Sequence, residues 1–223
     1  MKTLALIAQK GGVGKTTLAT CLAVQAVQEG KRVLVVDLDP QATASFWSDV
    51  RKKPDDPAVM SIQPVRLPAV LKAAEDAGTD LVIIDGAAVS KEVAYSAAEV
   101  ADLVLIPFKA AVFDINSVAQ TVQTVKQVGS DFALVLTFVP PQGKETEEAQ
   151  GIAEQLGSNF CPVLIGNRKA YFRAQSTGLA VQEFEPNGKA ADEVQALYAY
   201  AMRSLNEQKK GRGHAKAKAR KLA

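Results

Sequence analysis

The chain has 223 residues, 26 Lys and Arg against 24 Asp and Glu, and a formal net charge of +2. Its 48% hydrophobic and 22% charged content is that of a domain with one sizeable core, which excludes disorder of the whole chain. Two cysteines, Cys21 and Cys161, are too few for a disulfide framework and lack paired metal-site spacing; no stretch approaches the roughly 20 apolar residues of a bilayer span.

The charge is unevenly spread. Seven of the 26 basic residues (Lys209, Lys210, Arg212, Lys216, Lys218, Arg220 and Lys221) lie after residue 208 without one acid, so residues 1–208 carry −5 and the end +7. The composition therefore divides the chain into a body, 1–208, and a basic tail, 209–223, expected to be disordered. The short N-terminal apolar run stops at Gln9-Lys10, too soon for a signal peptide, and a cytoplasmic location is expected.

In chain order, short apolar runs at Thr3–Ala8, Val33–Asp37, Leu81–Asp85, Leu103–Pro107, Phe132–Phe138 and Phe160–Ile165 predict strands. They are continuously apolar rather than alternating, as in strands covered on both faces, so a mostly parallel sheet is expected. Helical patterns lie between them. Thr16–Glu29 stops at Gly30; Asp114 caps a segment in which Ile115, Val118, Val122 and Val125 recur at helical spacing up to Gly129. Pro68–Ala77, Glu145–Leu156 and Ala190–Gln208 complete the predicted helices, the last with Val194, Leu197, Tyr198, Ala201, Met202 and Leu205 on one stripe. Residues 54–57 and 140–143 read as loops. The β-α alternation predicts a three-layer α/β fold, a mostly parallel sheet with helices on both faces.

The informative segment is Lys10-Gly11-Gly12-Val13-Gly14-Lys15-Thr16-Thr17, between the first strand and the first helix. Glycines allow backbone N–H groups to close on phosphate oxygens, and the helix N-terminus adds a favourable dipole. Lys15 is then placed for the β- and γ-phosphates, the Thr16 hydroxyl for Mg²⁺, and Thr17 for the α-phosphate. Asp37-Leu38-Asp39-Pro40-Gln41 ends the second strand, and Leu81-Val82-Ile83-Ile84-Asp85 is an apolar strand ending in a carboxylate that reaches Mg²⁺ through water.

A lysine just before the glycines resembles the deviant phosphate loop of the ParA/MinD ATPases, a P-loop NTPase fold of the SIMIBI/ParA kind. The resemblance implies that Lys10 reaches across a dimer interface to the partner's nucleotide, and that Asp39, followed by Pro40 and Gln41, orients the attacking water near the Mg²⁺ shell. Gly86-Ala87-Ala88, the stretch Ala101–Pro107 and Asn167-Arg168-Lys169-Ala170-Tyr171 are similar to the short ParF-like plasmid-partition branch. Where many relatives carry Asn-Arg for adenine, this chain has Thr137-Phe138, which leaves the base to backbone groups and the loop near 184–186.

The resemblance implies a weak ATPase with ATP or ADP and Mg²⁺ as ligands, an ATP-dependent homodimer, and non-specific DNA binding on the nucleoid. Hydrolysis would be stimulated by a small centromere- or cargo-binding adaptor. Arg168, Lys169, Arg173, Lys189 and Arg203 are the DNA-binding candidates of the body, and Lys209, Lys210 and Arg212 those of the tail, which otherwise is a solvated terminus. Two alternatives stand beside this reading. A MinD-like positioning ATPase at a membrane needs large apolar residues in the tail, where only Leu222 is present, so no stable membrane association is expected; an amide-forming synthase needs a small acceptor. Cys21 and Cys161 read as core thiols, Trp47 as packing at the core edge, and His214 has no partner for metal binding.

Overall fold

The computed structural model describes residues 1–51, 53, 56–87, 90–109 and 115–220, with side chains up to 207 apart from that of residue 115. Six strands are described: β1 (Lys2–Leu6), β2 (Val33–Asp37), β3 (Ala58–Ser61), β4 (Leu81–Asp85), β5 (Leu103–Phe108) and β6 (Phe132–Leu136). They form one parallel sheet in the order β3-β2-β4-β1-β5-β6. The helices are α1 (Lys15–Gln28), α2 (Thr43–Arg51), α3 (Leu67–Asp76), α4 (Lys91–Val100), α5 (Ile115–Val128), α6 (Glu145–Gln155), α7 (Lys169–Gln175), α8 (Val181–Phe184) and α9 (Lys189–Arg220).

The continuous apolar runs have their cause in two cores, one on each face. Leu4 and Leu6 pack with Leu18, Leu22, Val194, Leu197 and Leu205 of α1 and α9, whereas Ala5 and Ile7 pack with Ala94, Ala97, Val118 and Val122 of α4 and α5. Alternate residues of one strand thus enter opposite cores, and a strand buried on both sides has no polar face to show. Cys21 and Cys161 are buried thiols whose pKa values burial pushes up to about 12 and about 11. Trp47 is buried and donates its indole N–H to the Leu179 carbonyl at 3.3 Å.

Three expectations change. The segment predicted as a strand at 160–165 makes only isolated bridges, Leu134 with Phe160 and Val139 with Gly166. Pro162 lacks the N–H that a continuous ladder needs there. Strand β3 and helices α2, α4, α7 and α8 were not anticipated. Finally, the backbone of α9 runs on to Arg220, where composition predicts a disordered tail. Its alanines, lysines and arginines are good helix formers, and extending an existing helix needs no new nucleus. Asp114, the expected cap of α5, falls outside the described residues, as do Ala88 and Lys221.

Candidate functional site

The first crossover places the loop 10–14 at the C-terminal edge of the sheet. Helix α1 starts from Gly14, whose φ of 93° is left-handed, and the aromatic edge of Phe138 comes within 3.6 Å of where a Cβ would sit. The left-handed φ is what calls for glycine, since at 3.6 Å the ring would be in ordinary contact with a Cβ. The Val13 side chain is buried and its carbonyl accepts the Thr137 hydroxyl at 3.0 Å, which ties the loop to the end of β6. Gly86, after β4, is needed for a different reason: a Cβ there would lie 2.9 Å from the Leu6 carbonyl oxygen.

A cavity of about 380 Å³ opens above this loop. Gly11, Gly12, Gly14, Lys15, Thr16 and Thr17 form one wall, and Asp39, Gln41 and Thr43 the other. Lys15 is only 7% exposed and its ammonium donates to the Lys10 carbonyl at 3.2 Å. Burial pushes its pKa down against the opposing pull of Asp85 and Asp39. A desolvated cation beside a ring of glycine N–H groups is poised for a polyanion that restores the lost solvation. Lys10 is half-buried at the loop entrance, and Pro40 is exposed beside the cavity wall.

Register brings the acids together. Asp37 and Asp85 are paired across β2 and β4, and both are fully buried. Their roles differ. Asp37 is spent on structure: one carboxylate oxygen accepts from the Asp39 N–H at 3.0 Å, the other from Ala44 and Ser45 N–H at 3.0 and 3.2 Å, so it caps α2 from six residues upstream of the helix. Asp39 is half-buried, accepts from the Gln41 N–H at 3.0 Å, and faces the cavity.

Asp85 has two buried carboxylate oxygens without a hydrogen-bond partner. The Thr16 hydroxyl lies close enough to hold its pKa down without forming a full hydrogen bond, yet burial still pushes that pKa up to about 7. An oxygen-rich corner with orphaned carboxylate atoms beside Thr16 and Asp39 fits Mg²⁺, a hard cation that takes one or two carboxylates and keeps several waters. Thr16 and Asp39 would stand nearest the ion, with Asp85 behind a water.

A pH prediction follows from Asp85. Its raised folded-state pKa means that it stabilises the metal-free protein fully below the unfolded carboxylate value of about 3.9, and that this contribution is lost as pH rises through about 7. Thermal unfolding of the metal-free protein across that window should show the loss, and Asp85→Asn should flatten it. An unchanged slope in the variant would remove Asp85 as the source.

A second cavity, about 590 Å³, shares Gly14 and Thr17 with the first and continues to Leu18, Thr137, Phe138 and Ile165. Its outer wall is the segment 166–169 with Tyr171, Phe172, Arg173 and Gln175. Phe184 and Glu185, of the loop near 184–186, border a neighbouring depression of about 650 Å³ that shares Asn167, Arg168, Lys169 and Arg173 with this cavity. That depression gathers four of the basic candidates, Arg168, Lys169, Arg173 and Lys189. Lys169, Arg173 and Lys189 are exposed. Arg168 is committed to Glu193 through two bonds of 2.6 and 2.8 Å, and Glu193 also accepts from Gly166 N–H and the Tyr171 hydroxyl. Arg203 lies apart, exposed on α9 beside Tyr200 and Cys161. The side chains of Lys209, Lys210 and Arg212 fall outside the described residues.

Sequence reasoning missed the capping role of Asp37, Thr137 as the tether of the phosphate loop, and Phe138 as a cavity wall. Only Asp37 left a local sign, a strand-ending carboxylate followed by Thr43-Ala44-Ser45.

Residues 4–181 match the model of the CobQ/CobB/MinD/ParA nucleotide binding domain. The chain is 31% identical over 201 residues to maintenance of carboxysome distribution protein A of Gloeobacter kilaueensis, covering 88% of this chain and 90% of that one. It is 28% identical over 243 residues to the chromosome-partitioning ATPase Soj of Thermus thermophilus, covering 93% and 98%. Among solved structures, the cell division ATPase MinD of Pyrococcus furiosus superposes with a TM-score of 0.75 at 20% identity, over 91% of this chain and 98% of that one. An ATP complex of McdA from Cyanothece gives 0.72 at 20% identity, over 92% and 96%. These two likenesses establish the fold.

Proposed function

The chain belongs to the CobQ/CobB/MinD/ParA family of nucleotide-binding domains and is a P-loop ATPase within it, and from that premise we propose that it is a ParA-type positioning ATPase that segregates plasmid or chromosomal DNA. It binds ATP with Mg²⁺, closes into a dimer around the nucleotide, holds DNA without sequence preference, and releases it when a cargo-bound adaptor stimulates slow hydrolysis. The observation that carries the ligand reading is the desolvated Lys15 ammonium in a glycine-lined cavity faced by Asp39 and flanked by Asp85. Mg²⁺, when bound, neutralises charge on the phosphates; Lys15 holds the β- and γ-phosphates and Asp39 orients the water. Lys10 acts on the partner's nucleotide, where a fixed cation stabilises charge that develops in phosphoryl transfer.

The DNA reading is supported by Lys169, Arg173 and Lys189 around one open depression, and separately by the run of basic residues after 208 in the sequence. Phosphate neutralisation of this sort gives affinity without sequence preference, with a salt dependence that grows with the number of contacts. The body 1–208 would be the ATPase domain and residues 209–223 an extension of its polyanion-binding surface, acting in the cytoplasm on the nucleoid.

The test is retention on non-specific duplex DNA with ATP, with ADP and without nucleotide. Retention only with ATP, weaker and less salt-dependent after deletion of residues 209–223, is the expected result; equal or absent retention in all three states would overturn the DNA reading. A second cargo reading, a protein assembly rather than DNA, is favoured by the 31% identity to a carboxysome distribution protein. It keeps the ATP-gated DNA binding and differs in the adaptor, so pull-down of the adaptor's cargo separates the two. Among the described residues no helix is long and apolar enough to cross a membrane. A MinD-like role at a lipid surface would instead show as ATP-dependent co-sedimentation with anionic liposomes.

A further inference from the structure

Phe138 has a backbone that an aromatic residue seldom adopts. Its φ of 57° lies in the left-handed region, where a Cβ is crowded by the neighbouring carbonyl. The residues on both sides are fixed. Thr137 donates its N–H to the Phe108 carbonyl at 2.8 Å and its hydroxyl to the carbonyls of Phe108 and Val13, both at 3.0 Å; Val139 donates to the Ile165 carbonyl at 3.0 Å. Strain held in place by its surroundings is a mark of a functional position.

The ring that this backbone aims is 41% exposed, unusual for a phenylalanine bounded by two anchored residues. One edge faces Gly14, 3.6 Å from where a Cβ would sit, and the ring lines the 590 Å³ cavity that joins the phosphate site at Gly14 and Thr17. The Lys109 ammonium sits 3.8 Å above the ring centroid, yet Lys109 is not part of the cavity wall. The cation thus covers one face of the ring, and the cavity meets the ring without it. A cation behind an aromatic ring draws electron density toward itself, which favours an electron-rich aromatic partner on the free face.

We propose that Phe138, backed by Lys109, is the base-stacking residue of the nucleotide site: the purine enters the 590 Å³ cavity and lies against the open face of the ring. This rests on the reading of the 10–17 loop as the phosphate site. Stacking engages the π-face that all bases share and not their hydrogen-bonding edges, so the contact raises affinity for ATP and GTP alike. It takes the place of the polar side chains that Thr137-Phe138 does not provide.

Titration calorimetry with Mg-ATP, Mg-GTP and inorganic tripolyphosphate tests this on the full chain. Phe138→Ala and Phe138→Gly should each weaken both nucleotides about tenfold and leave tripolyphosphate unchanged. The glycine variant, relieved of the left-handed strain, should unfold at the same temperature as the native protein or above it. Phe138→Trp should hold ATP as tightly as the native protein, with indole fluorescence quenched by ATP and not by tripolyphosphate. An equal loss for ATP and tripolyphosphate would place Phe138 in the scaffold of the phosphate loop and overturn the stacking role. So would unchanged ATP affinity, or a loss confined to one base. A native protein that binds neither ATP nor tripolyphosphate would instead overturn the phosphate-loop reading, and the proposal with it.

Discussion

Lys15→Ala abolishes measurable nucleotide binding while the ligand-free protein keeps or gains stability. The two halves have one cause. The Lys15 ammonium is almost completely desolvated, with the Lys10 carbonyl at 3.2 Å as its one hydrogen bond among the described residues, and burial has already pushed its pKa down. Removing it relieves that cost in the empty protein and removes two or more charge-assisted phosphate bonds in the bound one. Each is worth about 1.5–3 kcal/mol, so affinity falls at least about a hundredfold. The check is the thermal midpoint with and without Mg-ATP: the nucleotide should raise it for the native protein and leave it in place for the variant. Lys10→Ala should behave differently, because its carbonyl contact to Lys15 is backbone and survives. ATP binding persists, but dimers in ATP and hydrolysis are lost. Normal turnover by the Lys10 variant would show that the side chain does not act across an interface.

The contrast between the two lysines also marks what a sequence can reveal about this site. Gly14, Lys15 and Thr16 are adjacent in the chain, and their chemistry depends on a local turn at a helix start, so spacing alone locates them. Asp39 and Asp85 are legible for a related reason: Asp85 ends an apolar strand and Asp39 follows two residues after the end of another, and a parallel sheet delivers all strand ends to one edge. Strands β2 and β4 have the expected limits because both faces are buried and the apolar run coincides with the element. Where burial is partial the pattern fades, as in β3, a four-residue edge strand with Met60 and Ser61 exposed.

Illegible features are those made by partners far along the chain. Helix α2 is the intermediate case: Asp37 accepts from its first N–H groups, and the strand-ending carboxylate a few residues ahead of Thr43-Ala44-Ser45 is a nearby sign of it. Thr137 and Phe138 look like the ragged end of a strand. Their roles come from Val13 and Lys109, 124 and 29 positions away, respectively. Arg168 has a partner that the sequence does not announce: basic and late in the chain, it reads as a polyanion contact, and its guanidinium is also held by Glu193 at the wall of the second cavity.

The same long-range logic makes Glu183→Ala a costly substitution at a position that no motif marks. Arg51, the last residue of α2, is buried with 1% of its side chain exposed. Its guanidinium lies 5.1 Å from the Trp47 ring centroid and donates to the carbonyls of Asp56 and Gly178. Two bonds of 2.6 and 2.8 Å fix it to Glu183, which in turn accepts from the Ala180 N–H. Without that carboxylate, a buried cation retains, among the described residues, only carbonyls and the half-exposed Asp56 at 3.5 Å. Breaking one side of such a pair costs about 3 kcal/mol, or a fall in the thermal midpoint on the order of 10 °C in a chain of this size. Replacing both partners, Arg51→Met with Glu183→Leu, should recover much of the loss, since no charge is then left buried. The pairing holds the Glu183 pKa below its ordinary value even against burial. Its stabilisation is therefore complete above the unfolded carboxylate value of about 4.3 and disappears as pH falls through the lower folded value. A Glu183→Gln variant should lack that acid-side decline. If Glu183→Ala costs less than about 1 kcal/mol, water reaches the guanidinium and the clamp between α2 and α8 is weaker than its geometry implies.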